Sequence, residues 1–176
     1  MNDRDLILDR LQLFPEIVQR TIATTAEELW RTKTATTPFA LVEHAWHLAD
    51  LEEEGFGVRI GRMINESDPY LADFNGEETA RIRRYLEQAV WPAILRFRAA
   101  RHANVERLRS VNESGWTRKG TQELVGEITL ETLLVSMLRH DIAHANEIVE
   151  LLHELGVAVP ESLAAVAGLE PLARSA

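Results

Sequence analysis

The chain has no cysteine in its 176 residues. That excludes a disulfide framework, an internal thiolate nucleophile and a Cys-rich zinc site. It also lacks an excess of positive charge: 19 Lys and Arg stand against 28 Asp and Glu, a formal net charge of −9. Neither a nucleic-acid backbone nor an anionic membrane is therefore an expected partner. The opening MNDRDLILDR has no apolar h-region of the kind a secretory signal needs. No apolar run approaches the roughly 20 residues of a membrane span. A cytoplasmic location is the default expectation. Internal repeats and low-complexity tracts are missing, and no apolar–polar alternation is strong enough to predict a sheet.

What is present is ordinary for a soluble globular protein: 45% hydrophobic and 27% charged residues. The length predicts one domain over 1–176, large enough to bury roughly 70% of its unfolded surface. Leu6, Ile7, Leu11, Phe14, Ile17, Val18 and Ile22 recur at helical spacing and predict a first helix over 3–23. A second is predicted over 37–64, with Thr37 as cap and Pro38 in the first turn. Gly55 and Gly57 weaken its middle, but the apolar period resumes at Val58, Ile60 and Ile64. The stretch 65–78 reads as a loop. A third helix is predicted over 77–111, kinked or split at Pro92, whose ring removes a donor and clashes with the preceding turn. A second polar loop, 111–128, has room for a short extended piece. The fourth helix, 129–155, ends at Gly156. The tail, 157–176, contains Pro160, Pro171 and one short helical stretch, ESLAAVA. Four long amphipathic helices over 3–156 with two long loops predict an all-α four-helix bundle.

The fourth helix contains SMLRHDIAHANEIVELL, with His140 and His144 four residues apart. At about 100° per residue its core arc spans roughly 20° to 160° from His140. Both imidazoles sit at one edge of that arc. Residues at i and i+4 are neighbours, so the two rings can converge on one cation; they can equally be packed core histidines. A second pair, His44 and His47, lies among apolar residues of the second helix. Two histidines from one helix and one from another would make a three-ligand site with an open position. His102 and His153 lie on polar stretches and read as surface residues.

The stretches HLADLE, RI…DPYL…FN, WTRKGT…G…T and HDIAH, in that order over 37–156, resemble the DinB/YfiT-like superfamily. The resemblance implies a four-helix bundle holding a divalent metal ion (zinc, nickel or similar) on three histidines. The matching positions are His47, His140 and His144. His44 is an extra histidine one turn earlier, and the Trp that often precedes the second helix in such proteins is replaced here by TATTP. The resemblance further implies a small-molecule substrate and, among the activities of relatives, transfer of a low-molecular-weight thiol. Metal-dependent hydrolysis and a non-catalytic stress-response bundle are the alternatives. Several relatives form homodimers, so a homodimer is an expectation here.

The remaining site expectations concern support. Ligating imidazoles need a partner on the other ring nitrogen, and Glu43 or Glu147 is placed to be one; each is equally readable as a solvated carboxylate. Asp141 falls at about 100°, mid-core, where an unpaired carboxylate is costly. Either it pairs with an inward basic group or with His44, or the helix phase shifts and it meets solvent. Trp116, Arg118 and Lys119 line a pocket mouth or form a solvated loop with one anchoring Trp.

Overall fold

The computed structural model describes residues 3–169. Helix α1 (Asp3–Thr24) leads through a 3-10 turn (Glu27–Leu29) to α2 (Leu41–Asp50). One π-helical segment (Leu51–Phe56) joins α2 to α3 (Gly57–Asn65) without a break. Then come β1 (Tyr70–Leu71), α4 (Gly76–Ile82), a 3-10 turn (Tyr85–Glu87) and α5 (Val90–Arg109). A 3-10 segment (Glu113–Thr117), β2 (Lys119–Gln122), β3 (Gly126–Thr129), α6 (Leu130–Glu154) and α7 (Glu161–Ala167) complete the described chain. The four bundle rods are α1, the α2–π–α3 unit, α5 and α6; α7 packs on α6 and α1. The part of the predicted tail beyond residue 169 lies outside the described residues. No described helix is long and apolar enough to cross a membrane.

The second rod begins later than the sequence predicts. Thr37 does not cap it; its hydroxyl meets that of Thr34 at 2.6 Å. Ala40 is the cap residue, and the Glu43 side chain accepts its N–H at 2.9 Å. The continuity through Gly55 is as predicted, but the helix widens there by one π turn, with Gly57 N–H donating to Glu52 O. Such turns re-aim the side chains that follow.

The third predicted helix is split. Residues 83–89 leave the helical path, and α5 starts afresh at Val90. Pro92 thus sits in a first turn, where its missing N–H costs nothing. The Gln88 carbonyl accepts instead from Arg31 Nη2 at 3.0 Å. A second proline, Pro15, lies inside α1 and is buried, yet the helix continues. It removes the donor that would have met Leu11 O, and Arg101 Nη1 from α5 donates there at 2.9 Å.

A small three-stranded sheet is the element that sequence pattern does not predict. β1 pairs parallel to β2, with Tyr70 opposite Thr121, and β2 pairs antiparallel to β3. It ties the two long loops together at one end of the bundle. Helix α6 closes as its sequence predicts. Gly156 takes φ +68°, Val157 N–H reaches Leu152 O at 2.8 Å, and Gly156 N–H reaches His153 O at 3.1 Å.

Candidate metal centre

Four histidines meet where α2 faces α6. His44 and His47 are on α2, buried among Leu41, Ala45 and Leu48; His140 and His144 are on α6 beside Met137 and Ile148. His47 Nε2 stands 3.2 Å from His140 Nε2, and His144 Nε2 stands 3.0 Å from the same atom. Nitrogens about 2.0–2.1 Å from one tetrahedral ion would stand roughly 3.3 Å apart. Two of the three Nε2 separations thus already match those of a compact site.

Proton accounting favours a cation at that point. An imidazole nitrogen offers one in-plane site, either a lone pair or an N–H. His140 Nε2 can therefore complete only one of its two contacts with a proton, whereas a cation at the meeting point completes both. On the far side of the rings, His47 Nδ1 and His140 Nδ1 are buried without a hydrogen-bond partner among the described residues. No described carboxylate joins these three nitrogens.

Burial holds His44, His47 and His140 towards the neutral form that a ligand needs. Burial, followed by the His144 ring, lowers His47 to about 3 against the opposing pull of Asp50. Burial and the neighbouring rings hold His140 and His44 well below the ordinary histidine value. The walls are aromatic: Phe39 lies 5.3 Å from the His47 ring, Phe56 5.6 Å from His140 and Phe74 6.2 Å from His47. His47 and His144 are buried and His140 is partly exposed. Gly76, opening α4, closes over His47. A Cβ at that position would lie 2.3 Å from His47 Cε1, so only glycine lets this segment seat on the ring.

His44 does not pair with Asp141. Its Nδ1 lies 3.1 Å from His144 Nδ1, and Glu147 Oε2 lies 3.1 Å from that same His144 atom. Asp141 faces the core and takes a basic partner, Arg101, through contacts of 2.6 and 2.9 Å. Glu52 Oε2 stands 2.9 Å from Arg101 Nη2, and Asn104 Nδ2 donates to Glu52 Oε1 at 2.8 Å. This buried group forms a floor next to His140. Burial pushes the Asp141 carboxyl up to about 6 in spite of Arg101.

Glu43 serves the α2 cap and meets Lys33 at 3.0 Å, so its contacts are not with a histidine. Trp116 is buried in the apolar cluster of α1, α3 and α6, with the Arg4 guanidinium 5.3 Å from its ring. Arg118 donates to the carbonyls of Met63 and Glu66, and Lys119 pairs with Glu127 at 2.7 Å. These three hold the late loop in place; none of these contacts is with the histidine cluster.

Sequence reasoning missed Gly76, the three Phe walls, and the partners of Asp50. This buried carboxylate one turn after His47 accepts from Arg83 at 2.6 Å and from the Tyr85 hydroxyl. Its signal was a charged residue on the apolar face of the second helix.

A family model of the DinB superfamily matches residues 10–148. The chain belongs to the DinB superfamily. Among solved structures, YfiT from Bacillus subtilis matches with a TM-score of 0.81 at 16% identity, over 90% of this chain and 91% of that one. YfiT is described as "a probable metal-dependent hydrolase with an unusual four-helix bundle topology". At that identity the likeness establishes a shared fold. No curated protein sequence matches.

Proposed function

We propose that this DinB-superfamily chain is a divalent-cation-dependent enzyme acting on a small molecule, with His47, His140 and His144 as the ligands. The observation that carries the reading is the meeting of three Nε2 atoms with no described carboxylate among them. Three ligands leave a coordination position free, as catalytic sites do. When bound, the cation (zinc, nickel or similar) supplies undiminished positive charge, which lowers the pKa of a water or thiol beside it.

The chain's own groups do the rest. The His140 side admits the substrate, and Phe39, Phe56 and Phe74 exclude bulk water from the reacting atoms. Gly76 and the strand-tied loops close the His47 side. Hydrolysis, with water as nucleophile, agrees with the description of YfiT as a probable metal-dependent hydrolase. The apolar walls favour a second reading, transfer of a low-molecular-weight thiol to an electrophilic carbon. The absence of cysteine means such a thiol would come from a cosubstrate and meet no internal competitor.

The test begins with metal analysis of the purified protein. Ester and phosphoester hydrolysis are then compared with conjugation of a chlorinated nitrobenzene across a panel of small thiols. H140A and H144A are expected to lose most of the metal and turnover while keeping their helical circular dichroism, because the aliphatic core is untouched. Metal bound by wild type but no turnover of either class would replace the enzyme by a metal-binding bundle.

A further inference from the structure

Behind the three Nε2 atoms lies a second cluster, on the opposite edge of the His144 ring. His44 Nδ1 and Glu147 Oε2 each stand 3.1 Å from His144 Nδ1, and 3.9 Å from each other. Among the described residues two side-chain groups could hold a cation, and they share His144. They cannot both be filled by a neutral ring. A neutral imidazole binds a cation through the lone pair of one nitrogen and keeps the N–H on the other. Filling both edges would require an imidazolate.

We infer that His44 and Glu147 are positioning residues that fix the tautomer and tilt of His144, and that the second cluster takes no ion of its own. The inference rests on the metal reading above. With its Nε2 turned to the cation, His144 has its proton on Nδ1. The two Nδ1 atoms of His144 and His44 meet the geometry of a hydrogen bond, whereas Glu147 Oε2 makes none among the described residues. His144 Nδ1–H therefore donates to the His44 Nδ1 lone pair. Glu147 stands beside the N–H and adds negative charge next to the donor, which makes the ring a better base at Nε2.

His44 is suited to this and to little else. It is fully buried, and Phe39 stands edge-to-face against it at 5.6 Å. Its Nε2 has no partner among the described residues, so its one polar commitment is to His144. The reverse arrangement, with His44 Nδ1–H donating to His144 Nδ1, would put a proton on His144 Nε2 and block it as a ligand. The direction of this single hydrogen bond thus decides whether His144 can bind metal.

Metal stoichiometry, cobalt(II) affinity by chelator competition and ¹⁵N NMR of the histidine rings test this together. Wild type should bind one ion per chain, with His144 as the Nδ1–H tautomer. H44L, apolar and of similar bulk, should bind cobalt 10–100-fold more weakly. H44Q, whose amide oxygen can accept the same N–H, should recover part of that loss, and E147Q should lose several-fold. Thermal stability is recorded for each, and if H44L does not fold, H44Q and E147Q carry the comparison. Two ions per chain, or H44L and E147Q affinities equal to wild type, would overturn the positioning role. No binding by wild type would instead overturn the metal reading on which it rests.

Discussion

Replacing Arg101 by Met removes the centre of the buried floor next to His140. Arg101 is 1% exposed and meets Asp141, Glu52 and the Leu11 carbonyl. Breaking a buried pair by removing one partner costs about 3–5 kcal/mol, and a stranded carbonyl roughly 1–3 kcal/mol more. Proton uptake limits the damage. Burial already holds the Asp141 carboxyl up at about 6, and loss of the guanidinium raises it further. Neutralising it at pH 7 then costs only about 1.4 kcal/mol for each unit by which the pH still exceeds its pKa, a small part of the total. We expect a net loss of about 4 kcal/mol, within a total of about 5–15 for a domain. For a chain of this size that lowers Tm by about 8–16 °C. The pH dependence adds a second check. Carboxyls whose folded pKa lies above the unfolded value bind protons preferentially in the folded state, so stability is lost as pH rises through the window and regained as it falls. The variant's deficit should therefore shrink by about 1–2 kcal/mol between pH 7 and 5.5. Urea unfolding followed by circular dichroism at both pH values measures it. A variant within about 1 kcal/mol of wild type at pH 7, or a deficit that grows on acidification, would refute the reasoning.

The histidines predict the opposite pH trend for the metal-free protein. His47 falls from 6.5 to about 3 on folding, so the unfolded chain binds its proton more tightly. The stability this contributes is full above pH 6.5 and lost as pH falls towards 3; by pH 5.5 the loss is about 1.4 kcal/mol from His47 alone. Thermal melts of H47Q should show a shallower acid slope, and equal slopes would contradict the neutral, buried ring. G76A should weaken cobalt binding at least 10-fold, an estimate taken from the losses usual when a ligand's supports are disturbed, because its Cβ would overlap His47. G61A meets no atom within 4 Å and should leave binding unchanged while raising stability by about 0.5–1 kcal/mol; equal affinity in the two variants would remove the seating argument.

The helix periods were legible because each rod carries a long apolar stripe, and the stripe survives the π turn. His140 and His144 were legible for the same reason, since i and i+4 positions share a face whatever surrounds them. The choice between His44 and His47 was not fixed by spacing alone, because it depends on which edge of each ring α6 presents. The need for an inward basic partner to Asp141 was readable from its phase. The identity of that partner had a signal, since Arg101 continues the stripe of Ile94, Phe97, Val105 and Leu108. The small sheet was not readable: β1 and β2 are far apart in sequence, and strands of two to four residues carry no alternation. The reading through Pro15 succeeded for a reason no local pattern contains, a donor that arrives from α5.

That donor makes the proline an address. A carbonyl inside a regular helix is silent to its neighbours, because its own backbone answers it. Pro15 leaves Leu11 O unanswered at one height along α1, and the fixed fork of Arg101 finds it while gripping α6 through Asp141. Three rods are thereby indexed to one another at a single level, and that level is the one beside His140. Sliding α1 by a turn would leave the apolar stripes in contact yet break this match. The bundle's grease permits several registers; one missing N–H selects among them, and so sets the height at which α6 offers its histidines to α2.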